Sequence, residues 1–180
     1  MKVITTKLEG VCIIEPRVFK DERGFFYESY NKRVFAESGI DIDFLQDNHS
    51  RSQRGVLRGM HYQTAPNAQV KLVRVILGEV FDVVVDIQRD SPTFGQWCGF
   101  NLSAQNRQML LVPAGFAHGF CVMSETAEFV YKCDKYYAPE CECGLRWNDP
   151  TVGIEWPVTS PIISDRDKVH PAFSELSSIV

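Results

Sequence analysis

Lys71-Leu72-Val73-Arg74-Val75-Ile76-Leu77-Gly78-Glu79-Val80-Phe81-Asp82-Val83-Val84-Val85-Asp86-Ile87 sets two runs of β-branched and aromatic residues on either side of a Gly-Glu step. Runs of this length and composition, bounded by turn residues, read as β-strands. The Gly78-Glu79 step between them reads as a tight hairpin that would pair the two runs. Farther out, Met109 to Val112, Phe120 to Met123 and Glu128 to Cys133 repeat the pattern, while Ser91-Pro92 and Pro113-Ala114-Gly115 punctuate the connections. Short strands at this spacing predict an all-β, antiparallel β-sandwich or barrel. One short, peripheral helix is expected, opening at Asn31 as N-cap, carrying Val34 and Phe35, and stopping at Gly39.

Alternation assigns faces. In Glu128-Phe129-Val130-Tyr131-Lys132-Cys133, Glu128 and Lys132 fall on one side and Phe129, Tyr131 and Cys133 on the other, so Tyr131 points inward. By the same count Lys71 shares a face with Val73 and Val75. Val70, Leu72 and Ile76 make the opposite face nearly as apolar, which leaves the side of Lys71 open.

With 44% hydrophobic and 23% charged side chains, 180 residues suffice for one substantial core, so residues 1–180 read as a single domain. A net charge of −4 without any Lys/Arg run argues against nucleic-acid and membrane partners and leaves a small molecule. Lys7 and Glu9 interrupt the apolar stretch a signal peptide would need, and Phe81 to Ile87 is too short for a bilayer span and contains Asp82 and Asp86. With no export signal, the six cysteines are expected as reduced thiols. Cys141 and Cys143 lack a second thiol pair at zinc-site spacing. The weakest order is expected from Pro171 to Val180.

Two short motifs carry more. Gly55-Val56-Leu57-Arg58-Gly59-Met60-His61 fits the start of the first cupin motif, and Pro113-Ala114-Gly115-Phe116-Ala117-His118 fits the second. Metal-binding cupins place another histidine two residues after the first; here that position is Gln63, so no catalytic metal is expected. The longer strings Asp21-Glu22-Arg23-Gly24-Phe25-Phe26, Val56 to Gln63 and Gly115 to Phe120 resemble the dTDP-4-dehydrorhamnose 3,5-epimerase family, a metal-free cupin-fold family. Ser91-Pro92-Thr93-Phe94-Gly95, Trp147-Asn148-Asp149-Pro150 and Ser164-Asp165-Arg166-Asp167 extend the likeness, in order, over nearly the whole chain.

The resemblance implies a cupin-type jelly roll that needs no cofactor, works in the cytoplasm as a homodimer and inverts C3 and C5 of a nucleotide-linked 4-keto sugar, dTDP-4-dehydro-6-deoxy-D-glucose, to give dTDP-4-dehydro-L-rhamnose. In such a sugar C3 and C5 both flank the ketone, so loss of either proton gives an enolate whose charge rests on the ketone oxygen. A base near pKa ~6.5 can remove that proton only if the oxyanion is stabilised. Inversion also needs a donor on the opposite ring face. By resemblance His61 is the base, Tyr131 the opposing donor, Asp167 the carboxylate paired with His61, and Lys71 the cation beside the enolate oxygen. The family pattern further assigns Arg23, Phe26, Glu28, Gln46, Asp47, Asn48, Arg58, Lys71, His118, Glu142 and Arg166 to substrate binding. Arg23 and Arg58 suit diphosphate oxygens, because guanidinium makes paired charge-assisted hydrogen bonds; Phe26 suits stacking on the base.

On residue type alone, His61 and His118 would be structural histidines, Lys71 an edge-strand charge, Tyr131 a core aromatic and Asp167 a solvated tail carboxylate. Two rivals to inversion at both centres remain: a relative acting at one centre or on another nucleotide sugar, and a non-catalytic sugar-nucleotide-binding cupin. The presence of His61, Lys71, Tyr131 and Asp167 together disfavours the second.

Overall fold

The computed structural model describes residues 1–176. Along them run β1 (Lys2–Thr5), β2 (Cys12–Glu15), β3 (Phe19–Asp21), β4 (Gly24–Phe26), α1 (Lys32–Glu37), β5 (Gln46–Gln53), β6 (Leu57–Gln63), β7 (Lys71–Leu77), β8 (Glu79–Asp86), β9 (Trp97–Ser103), β10 (Met109–Val112), β11 (Phe116–Val122), β12 (Thr126–Cys133), β13 (Glu142–Gly144) and α2 (Asp165–Lys168). Six strands form one sheet in the order β1-β2-β10-β7-β12-β5, and five form a second in the order β13-β6-β11-β8-β9. Neighbours within each sheet pair antiparallel. The two faces pack as the cupin-type sandwich expected from the sequence, and β3–β4 forms a separate hairpin.

The expected pairing across Gly78-Glu79 is wrong. β7 pairs with β10 and β12, whereas β8 pairs with β9 and β11 in the other sheet. Gly78 is thus a corner between sheets. Its φ is +77°, and a Cβ there would lie 2.1 Å from the Thr126 carbonyl oxygen, so the backbone turns where no side chain fits. Burial explains the choice: Val73 and Val75 from β7 meet Val80 and Val84 of β8 across the sandwich, together with Phe120 and Phe129. A flat hairpin would set these groups side by side and leave an apolar face bare.

Neither outer face is bare. Leu72 and Met109 pack outward against Phe35 and Ile40, which explains why β7 reads as apolar on both sides. Lys71 accordingly shares the inner face with Val73 and Val75. The Asn31 side chain accepts the Val34 N–H to cap α1, and Phe35 is only 2% exposed. On the five-stranded sheet, Met60, Tyr62, Val83 and Val85 are covered by Leu145, Val152 and Leu176. The segment from Pro171 is therefore anchored as far as it is described: Phe173 packs on Phe94 and donates its N–H to Asp149 at 2.9 Å. The rest of the expected weak tail, residues 177–180, lies outside the described residues. Among the described residues no helix is long and apolar enough to cross a membrane.

Gly78→Ala should strain this corner, since left-handed backbone at a non-glycine residue and the Thr126 contact together cost about 2 kcal/mol or more. Thermal unfolding should show a Tm lower by about 4–8 °C. An unchanged Tm would mean that the crossover relaxes freely.

Candidate active site

Two strands of one sheet and two of the other converge on a polar interior. On β6, Met60 and Tyr62 face the outer core, so His61 between them faces inward. His118 on β11 lies directly across from His61 in the strand register. From the opposing sheet, Lys71 Nζ donates to the His61 carbonyl at 3.4 Å, and Tyr131 packs against the inner core as alternation requires.

Asp167 arrives from the far end of the chain. Ser164 caps the single turn of α2 by accepting the Asp167 N–H, which aims the carboxylate at β6. Its Oδ1 lies 2.9 Å from His61 Nε2, and Oδ2 accepts the Gly59 N–H at 3.1 Å. Asp167 is 4% exposed. Burial alone would raise its pKa, but His170, His61 and the Gly59 N–H more than offset this and hold the carboxyl well below the usual range. With Nε2 held by the carboxylate, Nδ1 is the His61 nitrogen left for chemistry.

Charge sets the rest of the site. Burial pushes the His61 pKa below the ordinary 6.5; Asp167 pulls it up, and Lys71 and His170 push it down. Burial likewise lowers the Lys71 pKa against the support of Cys133, Glu142 and Asp82. Tyr131 is raised by burial first, with Cys133 and Glu142 adding and the nearby Arg58 opposing. The interior therefore holds an imidazole biased toward its neutral form, a phenol that keeps its proton and a buried amine whose charge Glu142 and Asp82 support. That set can exchange protons with a carbon acid and stabilise the anion formed.

A family model described as dTDP-4-dehydrorhamnose 3,5-epimerase matches residues 5–175. The chain belongs to that family. It is 58% identical over 168 residues to the dTDP-4-dehydrorhamnose 3,5-epimerase of Shigella flexneri, covering 93% of each chain. The Legionella pneumophila dTDP-6-deoxy-D-glucose-3,5-epimerase, solved with dTDP-4-keto-L-rhamnose, superposes with a TM-score of 0.94 at 47% identity, covering 98% of this chain and 95% of that one. The Bacillus anthracis dTDP-4-dehydrorhamnose 3,5-epimerase, solved with TDP and pyrophosphate, gives 0.93 at 50% identity, with 95% and 98% covered.

Within this epimerase-family chain the expected site residues fall into three groups. Arg58, Glu142 and Arg166 join His61, Lys71, Tyr131 and Asp167: Arg58 Nε donates to Ser52 Oγ at 3.0 Å, and Glu142 is ion-paired with Arg166 and accepts the Tyr137 hydroxyl at 2.5 Å. Glu142 also interacts electrostatically with His61, Lys71 and Tyr131. Gln46 and Asn48 share the Tyr131 face of β5 and β12, whereas Asp47 points the other way and pairs with Lys132 at 2.8 Å. His118 faces inward but is buried, with Nε2 3.0 Å from both Asp82 oxygens.

Arg23, Phe26 and Glu28 form the third group, away from His61. Arg23 pairs with Asp21 on the exposed β3–β4 hairpin, Phe26 is 67% exposed, and Glu28 accepts from Asn31. Contacts made by this region run to the outer face of the six-stranded sheet, where Tyr27 meets Arg74 and Arg107 lies over Phe25. Phe25, Phe26 and Tyr27 there line a cavity of about 830 Å³.

Gln63, at the position where metal-binding cupins carry histidine, is committed to structure. Its amide nitrogen donates to the Asn67 and Tyr136 carbonyls and its oxygen accepts the Ala138 N–H. Sequence reasoning missed His170 and Tyr137. The i,i+3 spacing of Asp167 and His170, the latter just past the C-cap of α2, was the signal for the first; Tyr137 sits in a loop, with no periodic pattern to expose it.

An NMR titration of the His61 imidazole should give a midpoint below 6.5. Asp167→Asn should lower it further, because the carboxylate is the group that raises it. A midpoint above 6.5 in the unmodified chain would show that Asp167 outweighs burial.

Proposed function

We propose that this chain inverts C3 and C5 of dTDP-4-dehydro-6-deoxy-D-glucose to give dTDP-4-dehydro-L-rhamnose, through enolate intermediates and without a cofactor. The observation that carries this reading is the His61–Asp167 hydrogen bond, which leaves His61 Nδ1 free on the inner side of β6, where Lys71 reaches the His61 carbonyl and Tyr131 packs against the inner core. His61 removes the proton beside the ketone. Asp167 orients the ring and stabilises the imidazolium formed, while the Lys71 ammonium offsets the charge on the enolate oxygen. Tyr131, kept protonated by burial, returns a proton to the opposite ring face. Arg58 and Arg166 suit substrate oxygens, and His118, Glu142, Gln46 and Asn48 complete the polar wall.

We further infer that the chain acts as one catalytic unit in a homodimer. The β3–β4 hairpin supports pairing: it exposes Phe19, Phe25 and Phe26, and it carries Arg23 on a face that its own His61 group does not use. A second copy is the partner that would give Arg23, Phe26 and Glu28 a substrate to bind. Six unpaired cysteines fit a reducing compartment, the cytoplasm.

Incubation with the 4-keto substrate and proton NMR of the product tests the reaction. Inversion at C3 and C5 is expected; inversion at one centre assigns the narrower reaction, and none makes the chain a binding protein. Tyr131→Phe should slow inversion by about 10²–10⁴-fold. In heavy water, deuterium uptake at C3 and C5 should outrun epimer formation in that variant. Epimer formation at the unmodified rate would remove Tyr131 as the donor.

Light scattering at micromolar concentration should give twice the 20.5 kDa chain mass. A lone 20.5 kDa species would overturn the dimer.

A further inference from the structure

His170 adjoins the site yet has no part in the chemistry proposed above. Its side chain is 11% exposed, and Nε2 is sealed from solvent without a hydrogen-bond partner among the described residues. That nitrogen lies 3.5 Å from Asp167 Oδ1, the same oxygen that meets His61 Nε2 at 2.9 Å. The two imidazoles stand nearly edge to face, with centroids 5.6 Å apart and planes at 80°. Room for the second ring comes from Gly144, directly opposite His61 in the β13–β6 register; a Cβ there would sit 2.3 Å from His170 ring atoms.

A buried imidazole N–H without a partner costs about 1–3 kcal/mol, so its retention calls for a reason. A bare lone pair on Nε2 would face a carboxylate oxygen and be repelled by it. A proton on Nε2 is attracted instead, and a carboxylate movement of about 0.5 Å turns the long contact into an ordinary hydrogen bond.

We propose that His170 is a positioning residue that shares Asp167 Oδ1 with His61 and so limits the carboxylate's grip on the catalytic imidazole. This rests on His61 being the base. Asp167 must hold the ring without holding it protonated, because an imidazolium cannot accept the sugar proton. A second donor on Oδ1 draws charge away from the His61 contact. Lys71 faces His61 from β7, with Asp167 on α2; Glu142 and Cys143 on β13, Arg166 on α2 and Glu175 stand on the side of His170. Of these the Glu142–Arg166 pair is already mutually neutralised.

The test uses the full chain with labelled histidine and a chelator present, since His61, Asp167 and His170 bring donor atoms within 4.8 Å of one another and stray metal would compete. His170→Leu should raise both the His61 titration midpoint and the acid limb of kcat/KM by about 0.5–1 pH unit. His170→Gln, which keeps an N–H donor, should stay nearer the unmodified chain. Identical His61 midpoints in the unmodified chain and His170→Leu overturn the proposal. Should the leucine variant fail to fold, the unmodified chain still decides: nitrogen NMR should find the His170 proton on Nε2, and a proton on Nδ1 alone refutes the shared carboxylate. An acid limb that fails to follow the His61 midpoint in the unmodified chain removes His61 as base, a separate outcome from the shift in that midpoint.

Discussion

The carboxylate of Asp167 ties the C-terminal segment to the sandwich and the sandwich to its chemistry. One oxygen takes a backbone N–H of β6 and the other meets the imidazole on the same strand. A buried carboxylate is costly unless its oxygens are satisfied, and these are satisfied only when α2 is docked. Ordering the segment and orienting His61 are therefore one event. The apolar residues that follow α2 and cover Met60, Tyr62, Val83 and Val85 reinforce the same docking.

The interior between the sheets is a compromise between packing and charge. Phe120 and Phe129 stack at 4.1 Å, while His118 lies over Phe129 and brings its partner Asp82 and the nearby Lys71 close to them. Asp82 is fully buried; burial raises its carboxyl pKa, and His118 and Lys71 pull it back down. These buried groups are mutually supported, so removing one leaves another without compensation. That coupling makes the position of Lys71 on β7 depend on residues of β8 and β11, in the other sheet.

Residue patterns gave the class of fold and the inward aim of Tyr131, because alternation on β12 is enforced by burial of Phe129 and Cys133. They also gave the α1 cap, a local signal. The error at Gly78 came from reading a turn by its residues alone: a hairpin and a sheet-crossing corner both need a left-handed glycine, and only the partners of β7 and β8 distinguish them. β5 was not legible as a strand, since Gln46 to Gln53 is polar throughout and its place at the sheet edge demands no apolar face. In the site, His61 and Asp167 were legible through family strings rather than through physics. His170 was not, because its partner Asp167 looked like part of a solvated tail until α2 was seen to be buried against β6.

The distance along the chain between the two halves of the dyad also bears on synthesis. His61 and Asp167 are 106 residues apart in sequence. At ribosomal speeds of about 5–20 residues per second, the nascent chain holds its histidine for roughly 5–20 s before the carboxylate exists. Over that interval the outer face of β6 and β8 also waits for Leu145 and Val152, and Leu176 follows only after Asp167. A chain released early thus presents a sticky, half-clothed sheet and a His61 without its carboxylate, so premature termination yields material for chaperones and proteases.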